Sequence, residues 1–148
     1  MKRILLLMLL VINLTGCTGG IPTNTAPTNV QPQGKIIQSN EEYPMIINKY
    51  VWKDGKSESR KLSGPDIYEL ADSFDTLAVE KEASLKIEIE QNPTLITVKE
   101  IDEKHTVKEI QIEDNEIPLP AEDGYYIYEV SATWAKGEIS YVFDMQIN

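Results

Sequence analysis

From Tyr126 to Ile147 the chain alternates between apolar and polar positions. Tyr126, Tyr128, Val130, Ala132 and Trp134 fall on one face of an extended segment. Tyr125, Ile127, Glu129, Ser131 and Thr133 fall on the other. Period-two spacing with aromatic and β-branched residues predicts a strand. Ala135-Lys136-Gly137-Glu138 predicts a turn containing a residue free to take positive φ. A second run follows, with Ile139, Tyr141, Phe143, Met145 and Ile147 alternating with Ser140, Val142, Asp144 and Gln146. The two runs predict an antiparallel hairpin.

Shorter versions of this pattern lie upstream. Met45 to Trp52 predicts a first strand, ended by Lys53-Asp54-Gly55-Lys56. Leu85, Ile87 and Ile89 alternate with charged residues until Asn92-Pro93 breaks the run. Leu95 to Val98 and Val107 to Ile112 predict two more strands across the polar turn Asp102-Glu103-Lys104-His105. Ile117-Pro118-Leu119-Pro120 reads as extended chain, with backbone donors missing at both prolines. One segment has helical spacing: Ile67, Leu70, Ala71 and Phe74 predict a short helix over 65–73, with Pro65 in its first turn and Ser63 or Gly64 as cap. Six or so short strands separated by turns predict an all-β antiparallel sandwich over 41–148.

The N-terminus has a different pattern. Lys2 and Arg3 precede an apolar run from Ile4 to Ile12, too short for a bilayer span of about 20 residues. Leu14-Thr15-Gly16-Cys17 follows, and Cys17 is the single cysteine of the chain. A basic start, an apolar run and small residues before a cut site make an export signal. The tetrapeptide resembles the lipobox of bacterial lipoproteins. That resemblance implies cleavage after residue 16 and a diacylglyceryl group, with its fatty acyl (palmitate-type) chains, on the Cys17 thiol. It also implies attachment to the outer face of the bacterial cytoplasmic membrane. Two acyl chains hold a protein stably where one does so only marginally. The other reading is an ordinary cleaved signal with an incidental cysteine, which would be an odd leftover in an exported chain.

Composition changes again over 17–40. Pro22, Pro27 and Pro32 stand among Thr, Asn, Gln and Gly, with no acidic or aromatic residue. Such a segment buries too little apolar surface to offset its ordering entropy, so it reads as a disordered linker. The alternative makes Lys35-Ile36-Ile37 an edge strand of the domain. Residues 1–40 contain no acid, so all 24 acidic residues fall in 41–148 against eleven basic ones, a formal −13. A polyanion of this kind excludes general nucleic-acid binding, which needs basic patches.

A second resemblance lies at Glu122-Asp123-Gly124-Tyr125-Tyr126-Ile127-Tyr128. Immunoglobulin-like domains carry an acidic-x-Gly-x-Tyr-x-Cys pattern entering their penultimate strand, where the tyrosine hydroxyl returns to nearby backbone as a tyrosine corner. Glu122, Gly124 and Tyr126 match, and Tyr128 stands in place of the cysteine, which removes the family's inter-sheet disulfide. The resemblance implies a structural role for Gly124 and Tyr126, and a core position for Trp52 in the manner of the family's central tryptophan.

Evidence for chemistry is thin. His105 is the single histidine and sits in a charged turn, so no histidine cluster exists for zinc or haem. Asp72 with Asp75, Glu80 with Glu82, and Asp114 with Glu116 are the candidate carboxylate pairs for calcium or hydrolysis, and none has EF-hand spacing. No cofactor or metal is expected. Tyr125, opposite the apolar face, is the candidate for stacking on a sugar. The expectation is a non-catalytic, membrane-anchored module binding an extracytoplasmic protein or cell-wall component. The alternatives are a small β-sandwich proteinase inhibitor presenting Asn92-Pro93 or Ile117-Pro118-Leu119-Pro120, and an enzyme using surface carboxylates.

Overall fold

The structure, a computed structural model, describes residues 31–81 and 83–148. Its centre is the hairpin of two long strands, β10 (Gly124–Trp134) and β11 (Gly137–Ile147), paired in register from Gly124 with Ile147 to Trp134 with Gly137. The turn is Ala135-Lys136. Gly137 takes φ 152°, and a Cβ there would stand 1.9 Å from the Val51 carbonyl oxygen. Glycine is required because a neighbouring strand passes directly over it.

That neighbour is β3 (Ile46–Asp54), which pairs with β11 and carries β4 (Ser57–Lys61) on its far edge. On the other side of the hairpin lie β7 (Leu95–Asp102) and β8 (Val107–Ile110). A short strand, β5 (Leu77–Val79), pairs parallel with the end of β11 and completes a seven-stranded sheet. The second sheet has four strands in the order β2 (Glu41–Pro44), β1 (Gly34–Gln38), β6 (Leu85–Ile89), β9 (Glu116–Ile117). The chain is an all-β antiparallel sandwich with one short helix, as the alternation predicts.

The predicted apolar faces are the observed ones. Tyr126, Tyr128, Val130, Ala132 and Trp134 are buried against Ile139, Tyr141, Phe143, Met145 and Ile147, and meet Ile36, Leu85, Ile87 and Ile117 from the second sheet. Tyr128 and Phe143, directly opposite on β10 and β11, stack at 4.9 Å between ring centroids. Trp52 is buried and meets Trp134 edge-on at 5.3 Å. Its strand, β3, flanks β11.

The domain begins earlier than residue 41, which corrects the boundary expected at the end of the linker. Residues 17–30 lie outside the described residues. Lys35-Ile36-Ile37 lies within β1, between β2 and β6, so it is an interior strand of its sheet. Ile36 is fully buried opposite Ile87. One buried isoleucine in a polar segment leaves no periodicity to detect. The Tyr141 hydroxyl donates to the Pro32 carbonyl at 2.7 Å in a buried site, which fixes the entering chain to β11.

The helix α1 (Ile67–Ala71) is shorter than predicted, and its cap is Asp66 in place of Ser63 or Gly64. Asp66 Oδ1 accepts from the Tyr68 N–H at 2.7 Å. Leu70 and Ala71 pack on Ile101, Ile127 and Val142, covering one half of the outer face of the seven-stranded sheet.

Candidate functional site

Among the described residues, nothing covers the other half of that face. A bulge in β3 decides which side chains stand there. Lys49 pairs with Ser140, yet Ile47 pairs with Tyr141, so Asn48 is the extra residue. The inserted residue reverses the alternation. Upstream, Ile47 packs into the core; downstream, Tyr50 and Trp52 do so, which leaves Lys49, Val51 and Lys53 facing outward. Alternation along the hairpin brings Glu129, Ser131, Thr133, Glu138 and Ser140 to the same face. Lys99 on β7 pairs with Glu129, and Ser131 pairs with Ser140.

These residues line an open trough of about 730 Å³. Ser131, Thr133 and Ser140 supply hydroxyls. Lys49, Lys53, Lys99 and Lys136 supply ammonium groups, and Glu129 and Glu138 the two carboxylates. Leu62, on the segment between β4 and α1, forms part of one wall and is 58% exposed. A second hollow of about 590 Å³ shares Lys49, Leu62, Lys99 and Glu129 with the first and runs toward α1. Asn48 lines it, with Nδ2 donating to Glu129 Oε1 at 3.4 Å; Asn48 Oδ1 is buried without a partner.

Lys49 and Lys99 form no ion pair among the described residues. Lys53 and Lys136 reach only Glu58 at 3.8 Å and Asp54 at 4.0 Å. Lys35, on the other sheet, is instead held by Glu42 at 2.7 Å and Glu88 at 2.9 Å, hydrogen bonds that raise its pKa above the ordinary lysine value. The trough lysines are therefore donors without firm acceptors on a strongly acidic domain.

The sheet edges are less suited to a partner. β4 carries Glu58, Arg60 and Lys61; β8 carries Lys108 and Glu109; β2 carries Glu41, Glu42 and Pro44. Charges and proline on edge strands oppose pairing with another chain.

The residues singled out by sequence are dispersed. Cys17 lies outside the described residues. The Tyr126 hydroxyl donates to the Glu122 carbonyl at 3.0 Å, the return expected of a tyrosine corner, and Gly124 takes φ 151° beside it. Tyr125 is half-buried and its hydroxyl donates to Asp144 Oδ2 at 2.5 Å, so the expected sugar platform is engaged within the fold. His105 is exposed in the turn after β7, where Asp102 Oδ1 accepts from the Lys104 and Thr106 N–H groups. The Thr106 hydrogen bond leads in holding the Asp102 carboxyl below its ordinary value.

Among the candidate carboxylates, Asp72, Asp75, Asp114 and Glu116 are exposed, and Glu82 is outside the described residues. No group of three or more His, Cys, Asp or Glu side chains suited to a metal is found among the described residues. The Asn92-Pro93 turn is pinned where Trp134 Nε1 donates to the Gln91 carbonyl at 3.1 Å. Ile117 is buried and Leu119 packs on the core, so both candidate presenting loops are held against the body.

The carboxylate that sequence reasoning missed is Asp144. It is 1% exposed, accepts from Tyr125 and from Thr76 Oγ1 at 3.0 Å, and leaves Oδ1 without a partner. Burial pushes its carboxyl above the ordinary value against the pull of those hydrogen bonds. Comparison with protein-family models, with curated proteins and with solved structures finds no match for this chain.

Proposed function

We propose that this chain is a lipid-anchored, non-catalytic binding module on the outer face of the bacterial cytoplasmic membrane, with an immunoglobulin-like head. The observation that carries the anchor is Cys17, closing Leu14-Thr15-Gly16-Cys17 directly after a basic start and an apolar run. Gly34, the first residue of β1, follows Cys17 by 17 positions. At full stretch that length of chain keeps the head within roughly 60 Å of the anchor.

Strand pairing supports the immunoglobulin-like reading. That fold places its second and fifth strands in one sheet and its third, sixth and seventh in the other. Here β6 pairs with β9, while β7, β10 and β11 lie side by side opposite, and the tyrosine hydrogen bond opens β10. On this reading β3 and β4 are additions that extend the larger sheet past β11, β2 is added at the edge of the smaller sheet, and α1 lies on the outer face of the larger one. The non-catalytic reading is supported by the buried acids. Asp144 is enclosed by Tyr125 and Thr76, and Glu100 accepts from the Tyr128 hydroxyl inside the sandwich, so neither buried acid joins Glu129 and Glu138 in the trough.

Metabolic labelling with an alkyne fatty-acid analogue tests the anchor. The wild-type chain is expected to take the label and sediment with membranes, and Cys17→Ser to lose both properties. An unlabelled wild-type chain recovered at full length from the cytosol overturns the proposal.

A further inference from the structure

We infer that the lysine-rimmed trough on the uncovered face of the seven-stranded sheet binds a phosphodiester-linked polyol polymer. This assignment rests on reading the chain as a binding module exposed outside the membrane, and it names the chemistry of the ligand.

The charge pattern comes first. Lys49, Lys53, Lys99 and Lys136 come from β3, β7 and the hairpin turn; against Glu129 and Glu138 they give the trough lining a formal charge of +2, with Glu58, Asp54 and Glu109 beside Lys53, Lys136 and Lys99 at its rim. The remainder of the domain is strongly negative. At physiological ionic strength the screening length is about 8 Å, so a ligand seated in the trough senses these lysines far more than remote acids. Lys49 and Lys99 are the least engaged of these donors: neither has a carboxylate within ion-pair distance among the described residues, although Glu129 and Glu109 stand opposite Lys99 on the neighbouring strands. Residues 1–30 contain no acid, and Glu82 is the one carboxylate side chain outside the described residues.

The floor selects among anions. Ser131 and Thr133 carry half-buried hydroxyls able to donate and to accept, while the buried Ser140 hydroxyl already accepts from the Lys49 N–H at 3.3 Å. A polyol phosphate presents the complementary set: anionic oxygens for lysine ammonium groups, and hydroxyls for the serine and threonine floor. An acidic peptide is a poorer match. It cannot add as a strand, because the trough lies on a sheet face where strand backbones already pair with one another, and it brings carboxylates without the polyol hydroxyls that complement the serine and threonine floor. The open shape of the trough suits a chain passing across it.

The test is calorimetric titration of the full chain, held in neutral detergent, with short poly(glycerol phosphate), using polyglutamate and neutral dextran as comparison probes. Binding to poly(glycerol phosphate) is expected to exceed binding to both comparators. It should weaken roughly tenfold between 50 and 200 mM salt if two phosphates are neutralised. Lys49→Gln with Lys99→Gln should weaken it about tenfold or more. Lys86→Gln with Lys104→Gln, the same change of charge outside the trough, should leave it unchanged. Both pairs replace exposed side chains, and an unaltered melting temperature verifies the fold.

No binding at low salt overturns the assignment, as does equal weakening by the two double variants. Polyglutamate binding as tightly as the phosphate polymer also overturns it, in favour of an acidic peptide partner. The acyl label on Cys17 is read in parallel. A labelled chain that ignores the polymer overturns this assignment and leaves the anchor in place. An unlabelled chain that binds it supports the assignment and removes the anchor.

Discussion

Tyr125 donates its hydroxyl to Asp144 Oδ2 at 2.5 Å, joining two residues on the outer faces of adjacent strands. Thr76 donates to the same oxygen at 3.0 Å. The carboxylate they hold is buried, and its second oxygen has no partner. Burial raises the Asp144 pKa in the folded protein. A raised native pKa contributes stability that is fully present below the unfolded value and lost as pH rises through the native one. At neutral pH the fold therefore carries the cost of an ionised, desolvated group.

Asp144→Asn keeps an acceptor for both hydroxyls and removes the charge. Its urea midpoint should exceed that of the wild type at pH 7, and the difference should shrink toward zero near pH 3. A loss at pH 7 would show that the hydrogen bonds to Asp144 outweigh the cost of burying its charge, and a gain that persists unchanged at pH 3 would show that the charge is not its source.

Two tyrosine hydroxyls bond to backbone carbonyls in different settings. Tyr126 reaches the carbonyl of exposed Glu122, where water replaces the lost partner, so Tyr126→Phe should cost about 1 kcal/mol. Tyr141 reaches Pro32 in a buried site, and Tyr141→Phe leaves an orphaned carbonyl at roughly 1–3 kcal/mol. The order of the two urea-derived losses is the check: a larger loss at Tyr126 contradicts the assigned settings.

Gly137→Ala places a methyl group into the Val51 backbone and a side chain at φ 152°. Relief requires β3 to move away from β11. A loss of about 3 kcal/mol or more is expected, measured as a fall in the thermal midpoint. A variant that melts with the wild type would show that the two strands are not so closely apposed.

A chain beginning at residue 41 lacks β1, an interior strand of the smaller sheet, and exposes the core beside Ile87. It should be proteolysed and lack a cooperative melt, whereas a chain beginning at residue 31 should fold. Equal melts for both would make β1 dispensable.

What the sequence alone determined is what regular alternation encodes. A strand buried on one face must repeat every two residues, so β10, β11, their turn and their core faces were legible from Tyr126 to Ile147. The glycine–tyrosine spacing at Gly124 and Tyr126 and the position of Cys17 are equally local signals. β1, β2 and β4 carried no such signal. Their polar faces are solvated; β2 and β4 pair across tight turns with β1 and β3 but bring no apolar stripe, and the second partner of β1 lies far away in sequence, so Ile36 finds Ile87 only in the fold. The trough is tertiary for the same reason. Lys49, Lys99 and Lys136 belong to three separate segments, and a one-residue bulge at Asn48 decides which way β3 turns its lysines. Asp144 has the period of a solvent-facing residue, yet it is buried beside Tyr125 and Thr76 once the chain packs over that end of the sheet. Periodicity assigns a residue to a face; only packing decides whether that face meets water, another element or an open trough.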